Sequence, residues 1–219
     1  MVNSMSNTQS RLVLIIIAIA AMGGGLWLAQ LNPPPEDNTP RIQGAIYPTA
    51  KHIESISLVD QDNQPFSQES LQGQWSLLFV GYTLCPDICP TTLSLMSEVH
   101  WELKKQDLQP PAIIFLSIDP ARDTVDVIKK YVEYFNTDFI GLTGDPAQIE
   151  KLSRNLNAVY RKAPGLNGEI TEDDYLMDHS SALMLINPDG DLQSILTAPH
   201  SIRGVIDSLL KSQSYYEAL

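Results

Sequence analysis

The pattern of apolar and polar positions divides the chain into three parts. Leu12 to Leu31, LVLIIIAIAAMGGGLWLAQL, is twenty residues without a charge. As a helix it rises about 30 Å, the thickness of a bilayer's hydrocarbon core. Residues 32–50 carry Pro33-Pro34-Pro35 and Pro40 and predict a semi-rigid, polyproline-like linker. Residues 51–219 alternate short apolar runs with polar stretches and predict one soluble domain.

Within that domain the pattern switches between strand and helix periods. Ile53, Ile56 and Leu58, the turn Asp60-Gln61-Asp62-Asn63, and Gln64-Pro65-Phe66 predict a β-hairpin. Ser76–Gly81 and Ala112–Ser117 are continuous apolar runs, as expected of strands buried on both faces. Leu93, Met96, Val99 and Leu103 recur at helical spacing, as do Val125, Ile128, Val132 and Phe135. Asp145–Leu156 predicts a third helix with Pro146 in its first turn, and Pro164–Asp174 a loop. Ala182–Ile186, Asn187-Pro188-Asp189-Gly190 and Leu192–Leu196 predict a second hairpin, and Ser201–Leu210 a closing helix. Two buried strands joined through a helix should be parallel neighbours. This order predicts an α/β, thioredoxin-like sandwich preceded by one transmembrane helix.

Flanking charge orients the apolar segment. Arg11 precedes it and Glu36 and Asp37 follow, so residues 1–11 are expected in the cytoplasm and everything after residue 31 outside. A cleaved signal peptide is the alternative, with Ala18-Ile19-Ala20 as its small-residue site. The run continues well past those alanines, which favours an uncleaved anchor.

Composition narrows the class. The 219 residues are 43% hydrophobic and 18% charged, which excludes a wholly disordered or collagen-like chain. Acidic residues number 26 against 14 basic, for a formal charge of −12. That balance argues against nucleic acid as a partner and against broad docking on an anionic lipid surface. The two cysteines, Cys85 and Cys89, lie too close in sequence to staple a sizeable loop. Such a pair points to metal or redox chemistry.

Cys85-Pro86-Asp87-Ile88-Cys89-Pro90 sits where the first buried strand gives way to its helix. With Pro86 opening the helix, Cys89 falls one turn after Cys85 on the same face, and both sulfurs reach one small ion or each other. The helix N-terminus favours thiolates. The best third ligand is His179, just before the strand 182–186, with Asp178 expected to orient the imidazole or attract a cation. Two sulfurs and one imidazole suit Cu(I), whereas zinc usually takes a fourth ligand. Met177 reads as a core residue, and His52, His100 and His200 as structural or solvated. Asp119-Pro120-Ala121-Arg122-Asp123 reads as the cap and first turn of a helix.

The combined motifs resemble the Sco/SenC family of copper-binding proteins used in cytochrome c oxidase assembly. The matching residues are Gly81-Tyr82-Thr83, Cys85–Pro90, Ser117-Ile118-Asp119-Pro120, Arg122-Asp123-Thr124, Gly141–Gly144, Asp178-His179-Ser180 and Asn187–Gly190. Leu84, where the family often has a larger aromatic residue, and the region 52–57 depart from the pattern. The resemblance implies a thioredoxin-like fold and one copper ion, Cu(I) or Cu(II), on Cys85, Cys89 and His179. It implies a metallochaperone that delivers copper to the CuA site of the oxidase's copper-binding subunit, supplied by an upstream copper donor. It also implies a single-pass protein of the inner membrane with its domain in the periplasm. The alternative is a thiol–disulfide oxidoreductase, with Cys85 attacking and Cys89 resolving, that keeps the CuA cysteines reduced. A copper or redox sensor is a weaker third function.

Overall fold

A computed structural model describes residues 7–31, 39–165, 167–172 and 174–218. Two compact units divide at residue 38. The first holds one helix, α1 (Asn7–Leu31). Its segment Arg11–Leu31 is long and apolar enough to cross a membrane, and all its side chains are exposed. The polyproline segment itself, residues 33–35, lies outside the described residues.

The second unit runs from Thr39 to Leu219. Its centre is β4 (Ser76–Gly81), whose six residues are all buried, beside β5 (Ala112–Ser117). The two pair in parallel from Ser76↔Ala112 to Gly81↔Ser117. β6 (Ile140–Thr143) continues the parallel set beyond β5, and β9 (Leu183–Ile186) pairs antiparallel with the other edge of β4. The sheet is completed by β10 (Leu192–Leu196), β1 (Gly44–Lys51), β2 (Ser57–Asp60) and β3 (Pro65–Ser67). Its order is β1-β10-β9-β4-β5-β6-β2-β3.

The helices bury the stripes that their periodicity requires. α2 (Ile88–Lys105) buries Cys89, Leu93, Met96, Val99 and Leu103. α3 (Val125–Phe135) buries Ile128 and Val132 and is capped by Thr124. α4 (Pro146–Asn155) starts with proline after the Asp145 cap, where the missing N–H costs nothing. α5 (Ile202–Glu217) is capped by Ser201. The fold is thioredoxin-like α/β.

Four differences from the sequence pattern have physical causes. β1 occupies residues expected in the linker. Only Ile46 along it is buried, and Pro48 is tolerated because the strand lies at the sheet edge. A separate hairpin, β7 (Tyr160–Pro164) with β8 (Tyr175–His179), brackets the expected loop. Its outward positions are charged and its buried anchors, Tyr175 and Met177, are only two, so no apolar alternation reveals it. α5 runs seven residues past Leu210, and of these only Ser212 is buried. α2 begins at Ile88, not Pro86, which changes how the cysteines are presented.

Candidate metal centre

β4 delivers the chain to the cysteines. After Gly81 the backbone turns, and the Cys85 N–H donates to the Tyr82 carbonyl at 3.3 Å. Cys85 therefore lies in the turn before α2 and is half-buried, while Cys89 is the second residue of the helix and fully buried. The expected common helical face is replaced by a turn that folds Cys85 over the helix start. There its Sγ receives the Cys89 N–H at 3.5 Å.

β8 delivers His179 from the other side, in register with Tyr160 of β7. Its Nε2 stands 3.4 Å from Cys89 Sγ. The donor atoms of Cys85, Cys89 and His179 all lie within 4.8 Å of one another, and no other such group occurs among the described residues. The His179 Nδ1 lies 2.9 Å from the Ser180 carbonyl. A carbonyl can only accept, so Nδ1 carries a proton there, and Nε2 is the ring nitrogen that faces the sulfurs. Phe79 and Tyr82 set their rings edge-on to the imidazole, with centroids 5.8 and 6.1 Å away.

The two thiols divide their protons unequally. The Cys85 thiol is pulled down to about 3, first by the hydrogen bond from Cys89 and then by His179 and the N–H groups of Asp87 and Cys89, against the opposing effect of burial. Cys89 is pushed up, first because its hydrogen bond to Cys85 needs the proton and second by burial. The pair without metal is one thiolate and one thiol, and a metal taking both sulfurs would displace the Cys89 proton.

Gly81 is needed for this approach. A Cβ there would stand 2.8 Å from Cys89 Sγ and 2.8 Å from Phe115 Cε2. Gly81→Ala should push the Cys89 sulfur away from His179 and cost about 1–3 kcal/mol of stability as overpacking. A thermal melt with thiol-alkylation rates checks it. An unchanged melting point with unchanged alkylation would mean that the sulfur has room to move.

Further residues differ from their sequence roles. Asp178 does not touch the imidazole. It faces outward and pairs with Arg161 at 3.1 Å, and the Ser180 carbonyl orients the ring instead. Asp119 caps no helix, since α3 starts six residues later at Val125, behind its Thr124 cap. Asp119 is buried and accepts from Tyr175 Oη at 2.7 Å and Arg122 Nε at 2.5 Å. Asp123, also buried, accepts from the Thr83 N–H at 3.0 Å, the Thr83 hydroxyl at 2.5 Å and the Ser117 hydroxyl at 2.5 Å. It thus ties the turn before Cys85 to the end of β5. Met177 is a buried core side chain. His52 is on the surface against Asp191, His100 is buried on α2, and His200 bonds the Ser181 carbonyl. A cavity of about 290 Å³ opens beside His179, walled by Val159, Tyr160, Arg161 and Ser180.

The sequence profile of the family described as SCO1/SenC matches residues 45–213, most of the chain and all three donors. The chain belongs to the SCO1/SenC family. A Stutzerimonas stutzeri protein described as a candidate copper-binding protein is 41% identical over 160 residues, 73% of this chain and 76% of its own length. The Bos taurus mitochondrial SCO2 homolog is 31% identical over 208 residues, covering 94% of this chain and 77% of that one. The solved structure of Arabidopsis thaliana ScoI with copper bound is 31% identical and superposes with a TM-score of 0.69. That match covers 75% of this chain and all of that one. The SCO1/SenC assignment agrees with the resemblance in the motifs and with the thioredoxin-like fold.

Proposed function

We propose that this SCO1/SenC protein is a membrane-anchored copper metallochaperone. It takes one copper ion as cargo on Cys85, Cys89 and His179 and passes it to the CuA site of a cytochrome c oxidase subunit. The observation that carries this is the convergence of two sulfurs and one imidazole nitrogen within 4.8 Å. Two soft donors and one imidazole suit Cu(I) in a near-trigonal site, and the group has no fourth donor among the described residues, as structural zinc would want. Three ligands leave a side of the ion open. An incoming cysteine of an acceptor can add there before His179 or Cys85 leaves, so the ion is handed over without becoming free. The copper-bound Arabidopsis relative supports copper as the cargo.

In this proposal α1 anchors the chain in the inner membrane with residues 1–11 in the cytoplasm. The folded unit then works in the periplasm, held by the residues that follow α1. The net charge of −12 would suit a partner with a basic docking face.

The test is Cu(I) stoichiometry of the reduced full-length protein in detergent, under anaerobic conditions, beside His179→Ala. One tightly held ion is expected, with affinity falling tenfold or more in the variant, about 1.4 kcal/mol. Weak binding, or binding indifferent to His179, would favour the second function, a dithiol reductase of the acceptor's cysteines. The half-exposed Cys85 thiolate beside the protonated Cys89 is the arrangement such exchange uses. Cys85 would attack the target disulfide, and Cys89 would then resolve the mixed disulfide, leaving the target reduced and this pair oxidised.

A further inference from the structure

The copper proposal leaves one question about His179. Its ring is oriented by a carbonyl in the short connection between β8 and β9, and a backbone carbonyl orients a ligand only if its own peptide is held. The connection is fixed on one side by the Ser180 N–H, which donates to the Val159 carbonyl at 3.0 Å. The Ser180 hydroxyl is buried and bonds nothing among the described residues, so the side chain does not hold the segment. On the other side, His200 Nε2 lies 2.8 Å from the Ser181 carbonyl.

That geometry makes Nε2 of His200 a donor. A carbonyl accepts, so Nε2 carries the proton and donates. The other ring nitrogen, Nδ1, is buried and has no partner among the described residues. The single polar act of this half-buried imidazole is therefore to grip the Ser181 carbonyl. His200 is itself held by a rigid element. It immediately precedes Ser201, whose hydroxyl accepts the Gly204 N–H at 3.1 Å and caps α5. The path runs from the start of α5 through His200 to Ser181, across one peptide to the Ser180 carbonyl, and so to His179 Nδ1.

We infer that His200 is a positioning residue for the metal site, holding the Ser180–Ser181 segment so that His179 keeps its Nδ1–H tautomer and aims Nε2 at the cysteines. This rests on His179 being a copper ligand. His200 touches neither copper nor sulfur in this role. It acts through the backbone, as partners behind a ligating histidine commonly do, where their loss costs about 10–100-fold in metal affinity.

Two variants of the full-length protein in detergent separate the donor from the bulk of the ring. His200→Leu keeps much of the volume and removes the donor, and His200→Gln keeps an N–H that can reach the carbonyl. Cu(I) affinity is read by competition, and the Cu(II) form by electron paramagnetic resonance and its thiolate charge-transfer band. In the reduced metal-free protein, imidazole ¹⁵N shifts report the His179 tautomer. Expected are about a tenfold loss of affinity, an altered Cu(II) spectrum and a mixed tautomer for His200→Leu, with His200→Gln within about threefold of the parent.

Parent-like affinity, spectrum and tautomer in His200→Leu would overturn the inference. So would equal impairment in both variants, which would mean that packing alone matters. His179→Ala is measured alongside. If it too binds copper like the parent, the ligand assignment falls and His200 with it. If it is impaired and His200→Leu is not, only the positioning role falls. Should His200→Leu not fold by its thermal melt, His200→Ala is compared with His200→Gln by the same three readouts.

Discussion

Cys85→Ser is expected to abolish tight Cu(I) binding, lowering affinity by about a thousandfold or more (~4 kcal/mol). A serine hydroxyl is a hard donor that keeps its proton at neutral pH, so the ion would retain one sulfur and one imidazole. Cys85 gives the cleaner variant of the two. It is half-buried in a turn, whereas Cys89 is fully buried close to Gly81, so Cys89→Ser would also bury a hydroxyl in the core. Retention of affinity within tenfold in Cys85→Ser would place copper elsewhere. The same pair predicts opposite shifts in thiol chemistry. In Cys89→Ala, Cys85 loses the hydrogen bond that contributes most to holding its thiol down to about 3. Its alkylation should then begin at a higher pH than in the parent. In Cys85→Ala, Cys89 loses the acceptor that holds its proton. Its thiol should come down toward the ordinary range while burial still keeps it above that range. Alkylation rate against pH, followed for each single-cysteine variant, checks both directions.

How much of this was legible in the sequence depends on the range of the forces involved. β4 and β5 announce themselves because burial on both faces demands unbroken apolar runs. α4 has the predicted start because its cap and first turn are local chemistry, Asp145 before Pro146, whereas the cap of α3 is Thr124 and not the Asp119 that the sequence suggested. The β9–β10 hairpin follows from Asn187-Pro188-Asp189-Gly190, with Gly190 at a φ of 84° that favours glycine. The β7–β8 hairpin was hidden because long-range packing of Tyr175, not periodicity, holds it. Tyr175 has Arg122 at 3.6 Å and Lys162 at 3.7 Å over its ring.

The candidate site divides in the same way. Cys85, Cys89 and His179 could be picked out by residue type and by their place beside strands. The carbonyl that orients His179, the rings of Phe79 and Tyr82 against it, and the clearance at Gly81 exist only once the sheet brings β4, β5 and the β8–β9 connection together. A carbonyl belongs to every residue, so nothing in the letters marks Ser180 out. Asp178, the nearest acid in sequence, was the natural candidate for the imidazole. Strand alternation instead turns it outward beside Arg161 while its neighbour His179 faces in.

The largest stability effect among single polar substitutions is expected at Asp123. Its carboxyl group accepts from two hydroxyls and one backbone N–H and is wholly buried. Asp123→Ala removes all three acceptor contacts, and at roughly 1 kcal/mol each it should cost about 3 kcal/mol. In a domain of this size that is about 6–12 °C in Tm. The pH dependence has a definite sign. Burial raises the Asp123 carboxyl above its ordinary value, outweighing the hydrogen bonds from Ser117 and Thr83 that lower it. The folded state therefore binds this proton more tightly than the unfolded state. The resulting stability is fully present below about pH 4 and is lost as pH rises through the elevated folded value. Asp123→Asn cannot titrate, so the stability of the parent relative to this variant should shrink between acid and neutral pH. Parallel pH profiles for the two would show that the buried carboxyl binds its proton no more tightly when folded. The effect should also reach the metal site, because Thr83 lies two residues before Cys85 and Asp123 is the group that anchors it to β5. Loosening that turn while leaving both thiols and His179 in the chain should lower copper affinity by about tenfold, the scale seen when a partner behind a ligand is lost. Copper affinity equal to the parent's in a folded Asp123→Asn would mean that the cysteine turn is held by α2 alone.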